Sequence, residues 1–416
     1  MTTLASHALA VAERLLDPST TIRAVGEADA ASLNRGLAGT ALLHARLSTT
    51  DPAFANAAIR HWTEAADHLR RHPAGLGGIQ GGRGGLAASL IIGSAYLPDS
   101  EVVRAITARS ATWLSTHAID VRDEHYRMRA TDTGAPWHTY DAITGLAGIG
   151  RVLLAAAHNR HTGAEHGLEA TLETLTALLA PCESPRPGWW LSRAGHPVGV
   201  SVDASGAATT GLAHGVAGPL AFLSTAHTAG CSVPGQAEAI THAATWLLTW
   251  RAPQGTWPPH VTGTELDNHA RPQQHGRNDA WCYGAPGITR ALHIAGQALR
   301  NTDWTEEAHK ALEQLAQRAP NEWDTDGPTL CHGYAGVLQS TAQTSPSIAN
   351  TAGKAVIDAF DPATAFGFQH HDRSHIHNEP GFLTGASGIA LALIDHTDPP
   401  TSSGDLTSWD CLLNLS

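Results

Sequence analysis

Three side chains of this sequence have the types and the setting of a metal site. Cys282 stands in Asn278-Asp279-Ala280-Trp281-Cys282-Tyr283-Gly284, and Cys331 and His332 stand in Leu330-Cys331-His332-Gly333. Two thiolates and an imidazole suit zinc in a tetrahedral arrangement, and three protein ligands leave a fourth position open for a reacting group. A lone free cysteine is more often a small buried hydrophobe. Two cysteines at equivalent places before helical patterns, one of them followed by histidine, favour metal. A structural zinc would want a fourth protein ligand, and Cys182, Cys231 and Cys411 lie at positions unrelated to those two loops.

Proton transfer has its own candidates. His214, in Gly211-Leu212-Ala213-His214-Gly215, titrates in the range that suits both acid and base roles near neutral pH. Asp141 is placed either to orient such a histidine or to cap the helix that starts near Gly145. Tyr283 either aims its hydroxyl at the metal site or packs. The run Gln369-His370-His371-Asp372-Arg373-Ser374-His375-Ile376-His377 invites a second metal site. The chain carries 26 histidines, so such clusters arise by chance, and the run is expected to be a solvated rim loop that touches substrate at most.

These residues span nearly two hundred positions, so some regular scaffold must gather them. A Gly-x-x-Gly signature followed by an apolar run recurs at 36–39, 145–148, 215–218, 284–287, 333–336 and 385–388, with a degenerate copy at 82–85. Between the copies lie stretches with one apolar stripe of helical period: 4–16, 54–70, 99–117, 163–180, 234–251, 304–318 and 346–360. In 234–251 the stripe is Ile240, Ala243, Ala244, Leu247 and Leu248. Asp303 and Glu306 suggest a capping box at the start of 304–318. The signature helices are apolar nearly all round and must be buried, whereas a striped helix faces water. The economical all-α arrangement is an α/α toroid, a closed barrel of seven inner and seven outer helices. The uneven repeat spacing disfavours an open solenoid. The glycines would let inner helices approach closely at their N-terminal ends. Every loop that precedes an inner helix then lies on one rim, which gathers Asp141, His214, Cys282, Cys331 and His332.

Two segments fall outside this scheme. Residues 181–210, with Val198, Val200 and Val202 alternating, are expected to be loop and short strands, a small irregular or β-containing insertion. Residues 252–280, rich in Pro, Gly, His and Asn, are expected to be a long loop. No domain boundary is expected at either, so 1–416 is taken as one toroid domain.

The chain has 416 residues, 42% of them hydrophobic, which is ample for a large core. A net charge of -12 without a basic run argues against nucleic acid and anionic membrane surfaces, and fits a neutral or basic peptide partner. Glu13 and Arg14 interrupt the N-terminal apolar pattern, so 1–16 is expected to be a helix and not a signal peptide. No apolar run is long enough to span a membrane. Five cysteines at scattered spacings make a poor disulfide framework, which points to a reducing, cytoplasmic compartment.

At Trp281-Cys282-Tyr283-Gly284 and Cys331-His332-Gly333 the sequence closely resembles the lanthionine synthetase C-like proteins, the cyclases of lanthipeptide biosynthesis. The resemblance covers essentially the whole chain: the sevenfold signature, Gly211 to Gly215, Tyr140-Asp141, and the ending Trp409-Asp410-Cys411-Leu412-Leu413. It implies an α/α toroid with one zinc (Zn2+) held by Cys282, Cys331 and His332. It implies a stand-alone enzyme that adds cysteine thiols to dehydroalanine or dehydrobutyrine of a dehydrated precursor peptide, closing lanthionine or methyllanthionine rings. His214 matches the family's acid/base histidine, which would protonate the enolate, and Asp141 and Tyr283 match its further active-site residues. A dehydratase and a transporter are the implied partners, in the cytoplasm or at a membrane-bound complex. Family members can carry an arginine four residues before the first zinc cysteine, where this chain has Asn278 beside Arg277. Residues 181–210 loosely match an extension linked to peptide or leader binding.

Three alternatives stand beside the cyclase. One is a zinc-dependent transferase that adds a small thiol such as glutathione to dehydrated peptides. Another is a non-catalytic scaffold that binds precursor and dehydratase, which would need none of the four Cys and His residues. A carbohydrate-active α/α barrel would want paired carboxylates on the rim, and Asp141 lacks an evident partner.

Overall fold

Each glycine signature opens a buried helix, and the stretches between them form the helices that cover it. The computed structural model describes residues 3–73, 78–128, 134–197, 200–272, 279–372, 375–398 and 405–416. In chain order, α1 (Thr3–Arg14) and a short α2 (Pro18–Val25) precede α3 (Leu37–Leu47), α4 (Ala53–Arg71), α5 (Gly82–Gly93) and α6 (Glu101–Met128). A one-turn α7 (Trp137–Tyr140) leads into α8 (Leu146–His158), followed by α9 (Glu165–Leu179), α10 (Ala217–Thr228) and α11 (Gln236–Thr249). After a small α12 (Gly263–Asn268) come α13 (Ala285–Leu299), α14 (Thr302–Ala316), α15 (Tyr334–Thr341), α16 (Pro346–Asp358) and α17 (Ala386–Thr397).

Helices α3, α5, α8, α10, α13, α15 and α17 touch one another in that order, and α17 closes the ring against α3. Helices α1, α4, α6, α9, α11, α14 and α16 pack outside them. The division follows composition. All of α3 is buried, whereas α4 buries one stripe (Phe54, Ala57, Ala58, His61, Trp62, Ala65, His68, Leu69) and turns its other face to solvent. The fold is thus the expected helical toroid.

The glycines do more than let neighbouring helices approach. In all seven repeats a Cβ on the second glycine of the signature would collide with the carbonyl oxygen six residues earlier, in the loop that leads into the helix. Gly287 sits on the Trp281 carbonyl and Gly336 on that of Leu330. Six of the same glycines also face the preceding repeat around the ring, as Gly336 faces the Trp281 side chain. This pattern also corrects the register of the second copy, which is Gly81 to Gly84 and not Gly82 to Gly85. Gly81 is the N-cap of α5, and Gly84 takes the close contact with Gly78.

Held this way, the seven loops join into a circle of backbone hydrogen bonds. Asn34 N–H donates to Gln80, Ile79 to Ile143, Ala142 to Ala213, Ala213 to Cys282, Cys282 to Cys331, Cys331 to Leu383, and Leu383 back to Asn34. These bonds are 2.9 to 3.4 Å long. Each loop donates to the next in one direction around the rim, so backbone groups that no helix can use are satisfied by neighbours.

Beneath this rim the interior is filled by the C-terminal segment. Trp409, Asp410, Cys411, Leu412 and Leu413 are all buried. Arg151 from α8 donates to the carbonyls of Ser416 and Leu406, and Arg290 from α13 to that of Leu415. Trp281 Nε1 donates to the Leu413 carbonyl, and Trp409 Nε1 to Asp395, which also pairs with Arg46.

The two irregular segments belong together. Strands β1 (Trp190–Leu191), β2 (Ala207–Thr209) and β3 (His260–Thr262) form one antiparallel sheet in the order β1-β2-β3. Residues 252–280 are therefore not simply a long loop. They supply the third strand and then α12, which opens with a capping box between Thr262 and Glu265. The alternating valines do not form a strand: Val200 N–H bonds back to Pro197 in a turn, Val202 lies outside the ladder, and Val198 is outside the described residues. The cap expected at Asp303 is instead Asn301, whose side chain accepts from the Asp303 and Trp304 amides. The histidine-rich run is not a plain loop either, since β4 (His370–Asp372) pairs with β5 (His375–His377) as a hairpin.

Candidate active site

Loops five and six of the rim carry the metal candidates. The Cys282 amide donates to the Cys331 carbonyl, so the two cysteines are neighbours because their backbones are bonded. Gly284, with φ of +102°, turns the chain directly into α13 at a conformation that a side chain would strain. One ligand atom from each of Cys282, Cys331 and His332 lies within 4.8 Å of the others. Cys282 Sγ is 3.1 Å from His332 Nδ1. Both cysteines are buried and His332 is half-buried.

The electrostatics are those of a site that wants a cation. A hydrogen bond from the Cys331 thiol, with help from His332 and His214, holds Cys282 well below the usual thiol range. The same bond, with burial, pushes Cys331 well above it. Burial pulls His332 down, but the Cys282 thiolate, Asp326 and Asp372 outweigh it and leave the imidazole raised. The Cys282 thiolate thus draws on the Cys331 thiol and on the His332 imidazole at once, in a place where a single cation would satisfy all three donor atoms. Two sulfurs and one ring nitrogen fit zinc and leave room for one more ligand. Among the described residues one other group has such spacing, Glu27, His68 and His72, far from these loops in sequence.

Loops three and four carry the proton-transfer candidates. The two roles weighed for Asp141 fall to its two oxygens. Oδ1 accepts from the amides of Ile143, Thr144 and Gly145 and from the Thr144 hydroxyl, which fixes the turn into α8. Oδ2 lies 2.6 Å from His214 Nδ1. Asp141 is fully buried, and the His214 side chain keeps 28% of its surface exposed. The carboxylate therefore fixes the tautomer with a proton on Nδ1 and leaves Nε2 for the accessible side. Tyr140 donates from its hydroxyl to the His214 carbonyl. Backbone bonds from Ala142 to Ala213 and from Ala213 to Cys282 place this pair beside the cysteines.

Tyr283 is half-buried between the two groups. Burial, then the charge of Cys282, raises its phenol well above the usual range, so it stays a protonated donor. Two further side chains stand beside these groups: Trp137, not singled out from sequence, and His370, expected only as part of a solvated rim loop. Trp137 stacks on the His214 ring at 4.4 Å between centroids and 15° between planes. Its signal was the Pro136-Trp137 start of the turn that ends at Asp141. His370 of the hairpin is half-buried, with its ring 6.2 Å from that of His332. Arg277 and Asn278 lie outside the described residues.

Comparison with known proteins agrees with this architecture. Residues 27–413 match the family model of the lanthionine synthetase C-like proteins. The nisin biosynthesis protein NisC of Lactococcus lactis subsp. lactis is 32% identical over 138 residues, an alignment that spans 32% of each chain. The chain thus matches about a third of the length of that curated relative. The solved structure of nisin cyclase superposes with a TM-score of 0.75 at 21% identity, covering 97% of this chain and 96% of that one.

Proposed function

The chain belongs to the lanthionine synthetase C-like protein family, and on that premise we propose that it is a zinc-dependent lanthipeptide cyclase. It adds cysteine thiols of a dehydrated precursor peptide to dehydroalanine or dehydrobutyrine in the same peptide and so closes thioether rings. The observation that carries this proposal is the convergence of Cys282, Cys331 and His332 with the Asp141–His214 pair on adjoining loops of one rim.

Cys282, Cys331 and His332 would hold the metal. Bound zinc supplies a Lewis acid that keeps a substrate thiol deprotonated near neutral pH. The reaction forms one carbon–sulfur bond at Cβ and moves one proton from sulfur to Cα, with nothing oxidised and nothing lost. His214 is the group assigned to that proton. With Nδ1 held by Asp141, Nε2 accepts the proton and returns it to the enolate carbon. Trp137 fixes the plane of the ring. Tyr283, kept neutral, offers a hydroxyl donor beside Cys282.

The same proposal takes residues 1–416 as one toroid domain with the β-containing segment as an insertion. Its partners would be the dehydrated peptide, a dehydratase and a transporter, and its place the cytoplasm. Among the described residues no helix is long and apolar enough to cross a membrane.

The test uses the zinc-loaded full chain and a dehydrated peptide that contains cysteine. Ring closure is an isomerisation, so it is read as loss of alkylatable thiols by mass spectrometry. Wild type should consume the thiols, and Cys331→Ala should leave them free. Thiols that survive zinc-loaded wild type would sink the proposal. With glutathione present, a gain of glutathione mass in place of ring closure would assign a transferase instead.

A further inference from the structure

Helix α4 ends in a second set of donor atoms, on the far side of the sequence from the cysteines. His68 and His72 lie one helical turn apart, which points both rings to the same side. Glu27, in the loop that follows α2, reaches both. Its Oε2 is 3.3 Å from His68 Nδ1 and 3.6 Å from His72 Nε2. All three donor atoms lie within 4.8 Å of one another. Ligands at zinc's usual bond lengths of about 2.0–2.1 Å stand roughly 3.3 Å apart in a tetrahedron. The two measured edges are close to that.

The tautomer of His68 strengthens the case. Its Nε2 lies 2.6 Å from the Glu27 backbone carbonyl, so Nε2 carries the proton and Nδ1 presents a lone pair. The His68 side chain is only 3% exposed, and Nδ1 has no hydrogen-bond partner. A lone pair on a buried ring and a carboxylate oxygen therefore face each other at 3.3 Å, which repels unless something positive lies between them. A proton on His68 would settle one edge and leave His72 aside. A divalent cation would settle all three.

The surroundings accept positive charge. The carbonyl end of a helix favours cations. The nearby guanidiniums are engaged elsewhere, Arg71 with Glu64 and Arg70 with Asp67. Glu27 and His72 are 65% and 55% exposed, and a cavity of about 490 Å3 adjoins them, so a remaining position would face solvent.

We propose that Glu27, His68 and His72 form a second site for a divalent transition-metal cation of the zinc type, independent of Cys282, Cys331 and His332. Two histidines and a carboxylate are a known donor set for such ions. Bound there, the ion ties the end of α4 to the loop between α2 and α3, at the outer wall of the toroid.

Zinc per chain, after equilibrium dialysis of the full-length protein against micromolar free zinc, tests this by elemental mass spectrometry. Wild type is expected to hold two equivalents, and His72→Ala and Glu27→Ala one each. Cys331→Ala should hold one and the Cys331→Ala/His72→Ala pair none. His72 and Glu27 are largely exposed, so these variants are expected to fold, which circular dichroism checks. If His72→Ala and Glu27→Ala hold as much zinc as wild type, the site does not exist. If Cys331→Ala alone keeps full zinc while His72→Ala loses one equivalent, this site stands and the cysteine site falls.

Discussion

The rim of this toroid and the plug beneath it are built from adjacent residues by opposite rules. At the rim, Cys282 lies in a backbone ring that holds the loops with few side chains, so two thiols, an imidazole and an Asp–His pair gather there, Asp141 also holding its turn. One residue earlier, Trp281 points inward and donates to the Leu413 carbonyl of the plug. In the plug nearly every polar side chain is consumed by structure: Arg151 and Arg290 hold terminal-segment carbonyls, and Asp395 holds Trp409 and Arg46. Fixing the loops through their backbones is what frees the rim side chains for chemistry. The plug instead spends charged side chains, because an irregular buried segment has carbonyls that must find donors.

Substitutions in the two regions should therefore fail differently. His214→Ala should reduce ring closure by about 10²–10⁴, the usual contribution of a general acid–base group, with its melting temperature nearly unchanged. If ring closure survives intact, the proton is carried elsewhere. In the plug, Arg290→Met should behave the other way. Burial already pulls this guanidinium down to about 10, and its removal strands the buried Leu415 carbonyl. A loss of roughly 3 kcal/mol in denaturant unfolding is expected, with activity lost only as the folded fraction falls.

Acid should weaken the barrel wall where α3 packs on α4. Burial holds His44 at about 4 and His61 at about 3, well below an exposed histidine at 6.5. Their depressed folded-state values mean that the unfolded chain takes up protons first. Stability is fully present above about pH 6.5 and falls as pH drops toward 4, by roughly 3 kcal/mol for His44 alone. A flat unfolding free energy across that window would contradict these buried neutral rings. The smallest effect separates the two oxygens of Asp141. Asp141→Asn keeps an acceptor for the turn amides, whereas Asp141→Ala strands them and should be less stable by about 2 kcal/mol. Both should slow ring closure, and equal stability would show that Oδ1 contributes little.

Much of this was legible in the sequence because the repeat is written in glycine and apolar period. The all-round apolar runs and the striped ones sorted correctly into inner and outer helices, and the argument that one rim receives every pre-helix loop needed only their alternation. Asn301 took the cap from Asp303 because cap choice turns on a shift of the helix start by only two residues, which periodicity does not resolve. The pairing of 190–191 and 207–209 with 260–262 was hidden because short strands carry little pattern and their partner lies across a helix pair. The backbone ring was invisible for a plainer reason, since every residue type has the same amide. Trp137 over His214 and the Glu27–His68–His72 group depend on neighbours brought together only by folding.

The central claim is that two sulfurs and one imidazole of this rim hold zinc. X-ray absorption at the zinc edge of His72→Ala, loaded with one equivalent, tests it most directly. The account predicts two sulfur scatterers at about 2.3 Å with nitrogen or oxygen at about 2.0–2.1 Å, and loss of the sulfur shell in Cys331→Ala/His72→Ala. A spectrum of nitrogen and oxygen neighbours alone would contradict it.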